Sequence, residues 1–479
     1  MNVLFIIPTV YASYPGALVP HIGIGYALAL LRKHGINAKV FDMRLGYNND
    51  DLADIIESYQ PDLIGLTAYS FSFDKTVKLM EFINKKRNCP LIIGGPHISA
   101  HKKELFNQVE FDFGITGEGE FPLLELCRAL ENKTTNLSEI KNLIWKNNGV
   151  VIENEIAPLR RDLDEIPFPD FEEFELEKYV FTKEKRIPIT TSRGCPHSCT
   201  FCSVKLSMGK SFRPRSPENV VSELEKLYTK GWRYFDVVDD VFNMDLARAK
   251  KICDLIIEKN LKINWSLGNG MRADRTDEEL LIKMKEAGCI FLAYGLESAD
   301  DEVLKELKKG ITVQRALEAF KLTKKVGIPF AVNFIIGNPG ETYDKAMKSM
   351  HFAKYIPADY VNVYNIIPYP NTELFEWVEK NGTFLVDKKN YLENIATRVS
   401  EPIFETPQFT KKERRKALKI GSEIAKRSHL RYRFGPASIL IWPIVKNDKI
   451  YFTARKIFMG NKIGRVIFNS IKKNKGHLK

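Results

Sequence analysis

The sequence predicts an α/β protein in two parts, a doubly wound parallel sheet followed by a partial (βα)6 barrel, with a helical, basic C-terminal region behind them. Three observations predict this. Short apolar runs alternate with helical stretches twice over, a proline-bearing extended segment separates the two series, and residues 411–479 change sharply in charge. A chain of 479 residues exceeds one ordinary domain of ~100–200 residues. With 44% hydrophobic and 28% charged residues, its composition is that of a globular protein with a sizeable core, and it holds no low-complexity tract.

In the first series, strands are expected at VLFIIP (3–8), NAKVFDM (37–43), DLIGLTAY (62–69), PLIIGG (90–95) and FDFGITG (111–117). Helices fall between them, as at GYALALLRKHG, where Gly35 is a natural stop, and at FDKTVKLMEFINKKR. Ligands of such a sheet bind at the carboxyl ends of its strands. That selects Pro8 and the loop after it, Thr67 to Ser70, Gly94 to His97, and Gly117 to Glu120. Residues 2–31 carry no charged side chain. With no basic segment ahead of them, and with Pro8, Pro15, Gly16 and Pro20 breaking any helix of the ~20 residues a bilayer needs, they read as a buried strand, a loop and a helix from about Ile22. Residues 142–157 read as a β-hairpin turning at Asn147-Asn148-Gly149. DLDEIPFPDF, with Pro167 and Pro169, is an extended linker. The expected domains are therefore 1–140, a hairpin and linker over 141–180, a barrel over 181–384, and a helical C-terminal region over 385–479.

The second series places strands near 187–192, 234–240, 263–267, 289–297, 329–337 and 360–367, with helices between every pair. Six such units suggest a barrel smaller than the full eight, with its chemistry on loops at the carboxyl ends of strands. The first of these loops reads Cys195-Pro-His-Ser-Cys199-Thr-Phe-Cys202. Three of seven cysteines within eight residues are a metal pattern rather than a disulfide framework, which places the chain in a reducing cytoplasm. A cubane cluster has four irons, so three thiolates leave one iron open to chelate the amino and carboxylate groups of S-adenosylmethionine. Zinc is the competing reading, but structural zinc wants four ligands, and His197 inside the loop is badly placed as the fourth. Cys89, Cys127, Cys253 and Cys289 read as small buried hydrophobes.

The cysteine spacing and its position after the first barrel strand resemble the radical S-adenosylmethionine superfamily. IIGGPH, ITGEGEFPLLEL and the DLDEIPFPDF linker resemble its subfamily with an N-terminal, flavodoxin-like cobalamin-binding domain, and the resemblance covers about residues 1–375. It implies a 4Fe-4S cluster on Cys195, Cys199 and Cys202 and reductive cleavage of S-adenosylmethionine to a 5′-deoxyadenosyl radical. It also implies contacts to that cofactor: the Phe201 backbone and the turns at Gly337 and Gly340 to adenine, Asp239 or Asp240 to the methionine ammonium, Arg272 to its carboxylate, and Glu297 to ribose or methionine. Asp239 and Asp240 could instead cap the following helix, and Glu297 could be a salt-bridged loop carboxylate. Cobalamin would lie against Thr67, Ser70, Gly94, Gly95, His97, Gly117 and Glu118. One departure stands out. Classical cobalamin domains carry Asp-x-His-x-x-Gly after the first strand, whereas here no aspartate precedes His21 by two residues and the glycine is offset. His21 therefore reads as a loop residue, and cobalamin as bound without a histidine beneath cobalt. A domain that binds no cobalamin is the other reading.

The implied chemistry is methylation of an unactivated carbon, with a radical oxidoreductase or cyclase on the same scaffold as the alternative. A tRNA methylthiotransferase would need three further cysteines in the first domain, which offers only Cys89 and Cys127; a non-enzymatic iron-sulfur or cobalamin sensor is the remaining class. The formal charge of +12 is concentrated at the end, where residues 411–479 hold 20 Lys and Arg against 3 Asp and Glu. There FGPASILIWPIV precedes aromatic and aliphatic residues interleaved with Lys and Arg. Such a segment can lie on an anionic membrane or form a helical lid with a solvated basic face. The expected partners are a small-molecule substrate, apolar or lipid-like, an electron donor such as flavodoxin or ferredoxin, and a peripheral membrane surface, with no nucleic acid.

Overall fold

The computed structural model describes residues 1–9, 18–388, 391–393 and 401–446. The chain divides into two compact units, Met1–Asp240 with Pro368–Glu376 and Val386–Arg398, and Val241–Ile367 with Trp377–Leu385 and Val399–Lys479.

The first unit is built on a seven-stranded sheet. Strands β1 (Asn2–Ile7), β2 (Asn37–Asp42), β3 (Leu63–Thr67), β4 (Leu91–Gly94) and β5 (Phe113–Ile115) are parallel in the order β2-β1-β3-β4-β5. Helices α1 (Ile22–Lys33), α2 (Asn49–Tyr59), α3 (Phe73–Asn84), α4 (Pro96–His101) and α5 (Glu120–Glu131) connect them. β1, β3 and β4 are apolar on both faces and almost wholly buried, as strands covered on both sides must be. Leu4, Ile6, Ile64, Leu66 and Ile93 share a core with Leu52 and Ile56 of α2 and Met80 and Ile83 of α3. A reciprocal cap between Asn48 and Asp51 starts α2.

The hairpin forms at the predicted turn, with β6 (Leu143–Asn147) and β7 (Val150–Glu153) joined through Asn148 and Gly149 at positive φ. It also does something its pattern did not announce. β6 pairs antiparallel with β5, so the hairpin extends the sheet by two strands. Ile144 enters the core, and Asn154 accepts from the Trp145 indole at 3.1 Å while donating to the carbonyls of Leu137 and Ile140. Past the hairpin, the linker lies over α1: Leu163 and Ile166 pack on Tyr26, and Asp170 receives Arg32 at 2.5 Å. The unit continues through β8 (Arg186–Ile189), β9 (Ser192–Arg193), α6 (Val204–Ser207), β10 (Arg213–Pro214), α7 (Pro217–Thr229) and β11 (Tyr234–Val237). β8 and β11 are parallel, and β9 and β10 antiparallel. Much later in the chain, Leu374 returns to donate its amide to the Thr200 carbonyl, 3.0 Å away, inside the cysteine loop.

The second unit carries the other four predicted barrel strands, β12 (Asn264–Met271), β13 (Cys289–Glu297), β14 (Phe330–Ile336) and β15 (Tyr360–Asn365), parallel and paired in chain order. Its helices are α8 (Leu246–Glu258), α9 (Glu278–Glu286), α10 (Asp301–Glu306), α11 (Val313–Val326), α12 (Tyr343–Tyr355), α13 (Glu373–Asn381), whose first turns belong to the first unit, α14 (Lys411–Phe434) and α15 (Ser438–Lys446). Asp245, Asp277, Asp300, Thr312, Thr342 and Thr410 each cap one of them through a side-chain oxygen. α14 lies on β15 and α12. At Gly421 a Cβ would come within 2.5 Å of Val363, and Ser428 Oγ receives the Val361 amide at 3.1 Å. Among the described residues no helix is long and apolar enough to cross a membrane.

Candidate cofactor site

The first unit contains a cavity of about 340 Å³, within the ~300–1,000 Å³ range of small-molecule sites. Phe5, Gly65, Leu66, Ile92 and Ile115 from the sheet form its apolar depth, with Tyr26 and Ala27 of α1 and Leu123 of α5 beside them. Thr67, Tyr69, Gly94, Gly95, Gly117 and Glu118, at or just past the carboxyl ends of β3, β4 and β5, form one rim. Thr190, Ser192, Arg193, Met208, Val238 and Asp240, from the start of the second strand series, form the other. Gly95 has φ +100°, and a Cβ there would stand 3.0 Å from both the Ala68 carbonyl and Thr67 Oγ1; only glycine lets the loop turn so close to β3.

Five of the seven residues expected around cobalamin therefore line one cavity: Thr67, Gly94, Gly95, Gly117 and Glu118. Ser70 and His97 do not line it. They bond each other, Oγ to Nδ1 at 3.0 Å, while the His97 ring sits 3.8 Å from Phe73 and 4.4 Å from His101, and burial drives its pKa down to about 2. His21, expected as a loop residue, lines the cavity and is the N-cap of α1. Histidine is not a favoured cap, which is why the sequence did not mark it. Nδ1 accepts the Ile24 amide at 3.1 Å, so the proton resides on Nε2, 2.6 Å from the Tyr69 hydroxyl. Both ring nitrogens are engaged within the chain. Burial, with Arg44 adding to it, lowers the His21 pKa to about 4.

The cysteine loop is held from behind by the two aspartates that follow β11. Asp239, buried, accepts from the Thr191 amide (2.6 Å), Thr191 Oγ1 (2.5 Å) and Ser192 Oγ (2.7 Å). Asp240 accepts from the Gly194 amide at 2.9 Å, and burial raises its pKa. Neither caps the following helix, since Asp245 caps α8. Gly194, next to Cys195, has φ +76°, and a Cβ would fall 2.4 Å from the Ser211 carbonyl. Cys202 N donates to Cys199 O at 3.2 Å, closing the turn that contains Phe201. No disulfide joins any of the seven cysteines, and burial pushes the Cys202 thiol up to about 11. Among the described residues no three His, Cys, Asp or Glu groups surround a single ion position. A cubane takes three thiolates on three different irons and leaves the fourth iron open. The donor set of Cys195, Cys199 and Cys202 fits the cluster.

Between rim and loop lies a charge lattice for which the sequence held no motif. Arg193 places Nη1 2.9 Å from Glu118 Oε1 and Nη2 2.6 Å from Glu120 Oε1. Arg213 places Nη1 2.7 Å from Glu118 Oε2 and Nη2 3.0 Å from Glu118 Oε1. The Arg193 guanidinium also faces the Tyr26 ring at 5.0 Å.

In the second unit, Glu297 ends β13 at φ +75° with Oε1 2.8 Å from Lys309 Nζ. Arg272, after β12, binds Asp274 at 2.8 Å and the Lys309 carbonyl at 3.0 Å. Both residues thus converge on Lys309. Gly337 and Gly340 lie in the turn after β14, which Glu341 organises by accepting the amides of Gly337 (2.6 Å) and Asn338 (3.0 Å). Burial raises Glu341 to about 7 against those donors. Arg414 Nη1 occupies the space a Gly337 Cβ would enter, 2.6 Å away, and burial lowers Arg414 to about 10. Glu341 and Arg414 went unread in the sequence, although the carboxylate four residues past Gly337 was visible there.

Strand-end glycines on one rim of a cavity and, on the other, the residues that lead into a three-cysteine loop fit an enzyme that joins an iron-sulfur centre to a second, domain-bound cofactor. The B12 binding domain family matches residues 8–127, and the Radical SAM superfamily matches residues 189–353. The uncharacterized methyltransferase PH0819 of Pyrococcus horikoshii is 32% identical over 431 residues, 88% of this chain and 91% of that one. The chain belongs to the radical S-adenosylmethionine superfamily, in the branch that carries an N-terminal B12-binding domain. An anaerobic magnesium-protoporphyrin IX monomethyl ester cyclase of Cereibacter sphaeroides is 27% identical over 420 residues, 84% of this chain and 67% of that one. The radical S-adenosylmethionine methyltransferase TsrM of Kitasatospora setae, solved with cobalamin and a [4Fe-4S] cluster, shares the fold: TM-score 0.68 and 20% identity over 79% of this chain and 75% of that one. The cofactors of this enzyme are a 4Fe-4S cluster, S-adenosylmethionine and cobalamin.

Proposed function

We propose that this enzyme methylates an unactivated carbon of an apolar or lipid-like small molecule. The observation that carries the proposal is a cavity in the first unit whose two rims are the strand ends of the B12-binding domain and the loop leading into Cys195. When bound, the cluster with S-adenosylmethionine supplies a hydrogen-abstracting 5′-deoxyadenosyl radical, and cobalamin supplies the methyl group. On this reading Cys195, Cys199 and Cys202 hold the cluster. Phe201, Asp240, Arg272, Glu297, Gly337 and Gly340 serve S-adenosylmethionine, while Asp239 fixes the loop ahead of the cysteines. Thr67, Gly94, Gly95, Gly117 and Glu118 meet cobalamin, and Ser70 with His97 braces that rim from outside the cavity. Domain boundaries near 140, 180 and 384 accompany the reading, with flavodoxin or ferredoxin as the class of electron donor.

Exposure of Ile439 (77%) and Leu440 (80%) on α15 supports an apolar substrate met at a membrane surface. The basic residues beyond 446, on which the same expectation rested, lie outside the described residues. The test is anaerobic reconstitution with iron, sulfide and hydroxocobalamin, then incubation with S-adenosylmethionine, a reductant and a lipid extract. About four irons and one cobalt per chain, with a product heavier by one CH2, is the expected result. The cyclase relative favours a second reading, oxidative cyclisation, whose product would lose hydrogen and gain no carbon.

A further inference from the structure

We infer that Glu118 is a positioning residue that couples occupancy of the cobalamin cavity to the cysteine loop. The inference rests on the cofactor assignment above. Glu118 lines the cavity, yet both its oxygens are turned to arginines: Oε1 to Arg193 and Arg213, Oε2 to Arg213. Arg193 is two residues ahead of Cys195. Arg213 is its direct cross-strand partner in the β9–β10 pair, and its Nη2 also holds the Met208 carbonyl at 3.1 Å. Glu120 occupies the second arm of Arg193, so the lattice ties two carboxylates of the Gly117–Glu120 segment to the strand ahead of the cysteines.

The side chains of Glu118, Arg193 and Arg213 are 14%, 9% and 3% exposed. Water screens so buried a lattice weakly, and displacing one partner leaves the others as uncompensated buried charges. Burial works against ionisation of Glu118, but the two arginines outweigh it and hold its carboxyl below the ordinary range. The carboxylate therefore stays charged. A ligand that packs on the Gly117–Glu118 rim and displaces that carboxylate takes a charge partner from both Arg193 and Arg213, the cross-strand pair that carries the backbone into Cys195.

Coupling of binding free energies is reciprocal, and that makes it measurable without turnover. Full-length protein is titrated with hydroxocobalamin before and after cluster reconstitution, following the corrin absorbance. The wild type is expected to show a ratio of the two dissociation constants of about fivefold or more, and Glu118→Gln a ratio near one. A lattice that only stabilised the fold would weaken both affinities and leave the ratio unchanged, which would overturn the inference, as would a wild-type ratio near one. Arg213→Lys, which keeps the charge but loses the two-pronged contact, decides by the same ratio if Glu118→Gln melts early. Failure of either wild-type form to bind cobalamin would instead overturn the cofactor assignment. The electron paramagnetic resonance spectrum of the reduced cluster should change on adding cobalamin to wild type and stay constant in Glu118→Gln.

Discussion

Replacing Asp239 by alanine removes the acceptor of three hydrogen bonds at once, from the Thr191 amide, the Thr191 hydroxyl and the Ser192 hydroxyl. The hydroxyls can rotate toward other acceptors, at a loss of about 0.5–1.5 kcal/mol each, but the amide is fixed by the backbone and its orphaning costs about 1–3 kcal/mol. Partial access of water to the vacated site brings the sum to about 3 kcal/mol for local opening of residues 190–194. At ~1.4 kcal/mol per tenfold change, that is roughly two powers of ten in the opening equilibrium. Hydrogen exchange resolved to the peptide spanning Thr191 to Gly194 reads this directly, and iron retained after desalting reads its consequence for the cluster. Asp236, three residues earlier on β11, is the control: its pair with Arg186 at 2.6 Å is only partly buried, so Asp236→Asn should cost about 1 kcal/mol or less without altering exchange at 191–194. Equal protection of that peptide in Asp239→Ala and wild type would refute the assignment of Asp239 as the brace of the cysteine loop.

Other expectations follow from the same geometry. The triple variant Cys195→Ala, Cys199→Ala, Cys202→Ala should lose its iron and keep cobalt binding; simultaneous loss of both metals in a protein that still melts cooperatively would count against separate sites. Because both nitrogens of His21 are engaged, labelling the protein's histidines with 15N should leave the paramagnetic resonance spectrum of bound cob(II)alamin unchanged, and an altered axial-nitrogen splitting would make His21 a ligand after all. The His21 pKa falls from 6.5 to about 4 on folding, through burial and then Arg44, against Asp42. Between those values the unfolded chain binds a proton that the folded one does not, so stability is full above pH 6.5 and falls by roughly 3 kcal/mol toward pH 4. His21→Gln should flatten that acid limb in denaturant titrations at stepped pH, and an unchanged slope would remove His21 as its source. Finally, full-length protein should co-sediment with anionic liposomes at low salt and be released by high salt; failure to sediment would end the membrane reading.

Both strand series were readable because apolar runs of strand length, bounded by Gly, Pro and Asn, have few alternatives, and the cysteine loop because its spacing is chemically specific. Residues whose role depends on what another segment brings to them were not readable. The hairpin pattern at 142–157 fixes its turn but contains nothing about which sheet edge it joins. Asp239 and Asp240 could be placed at a strand end, yet whether they faced a ligand, a helix or their own loop required the position of Thr191 and Gly194. His97 sat in an expected binding loop, but its ring turned to Ser70 and Phe73, away from the cavity. The ion lattice of Glu118, Glu120, Arg193 and Arg213 joins segments far apart in sequence and leaves no local signature.

The hydrogen bond from Leu374 to Thr200 has a consequence for biogenesis. The cysteine loop is translated long before this last of its anchors, and at ~5–20 residues per second the delay is on the order of ten to thirty seconds. Throughout that interval the three thiols belong to a loop that lacks its contact with Leu374. Cluster delivery is therefore best timed to the completed chain, and cells starved of iron-sulfur assembly capacity should accumulate a full-length, metal-free enzyme rather than truncated fragments.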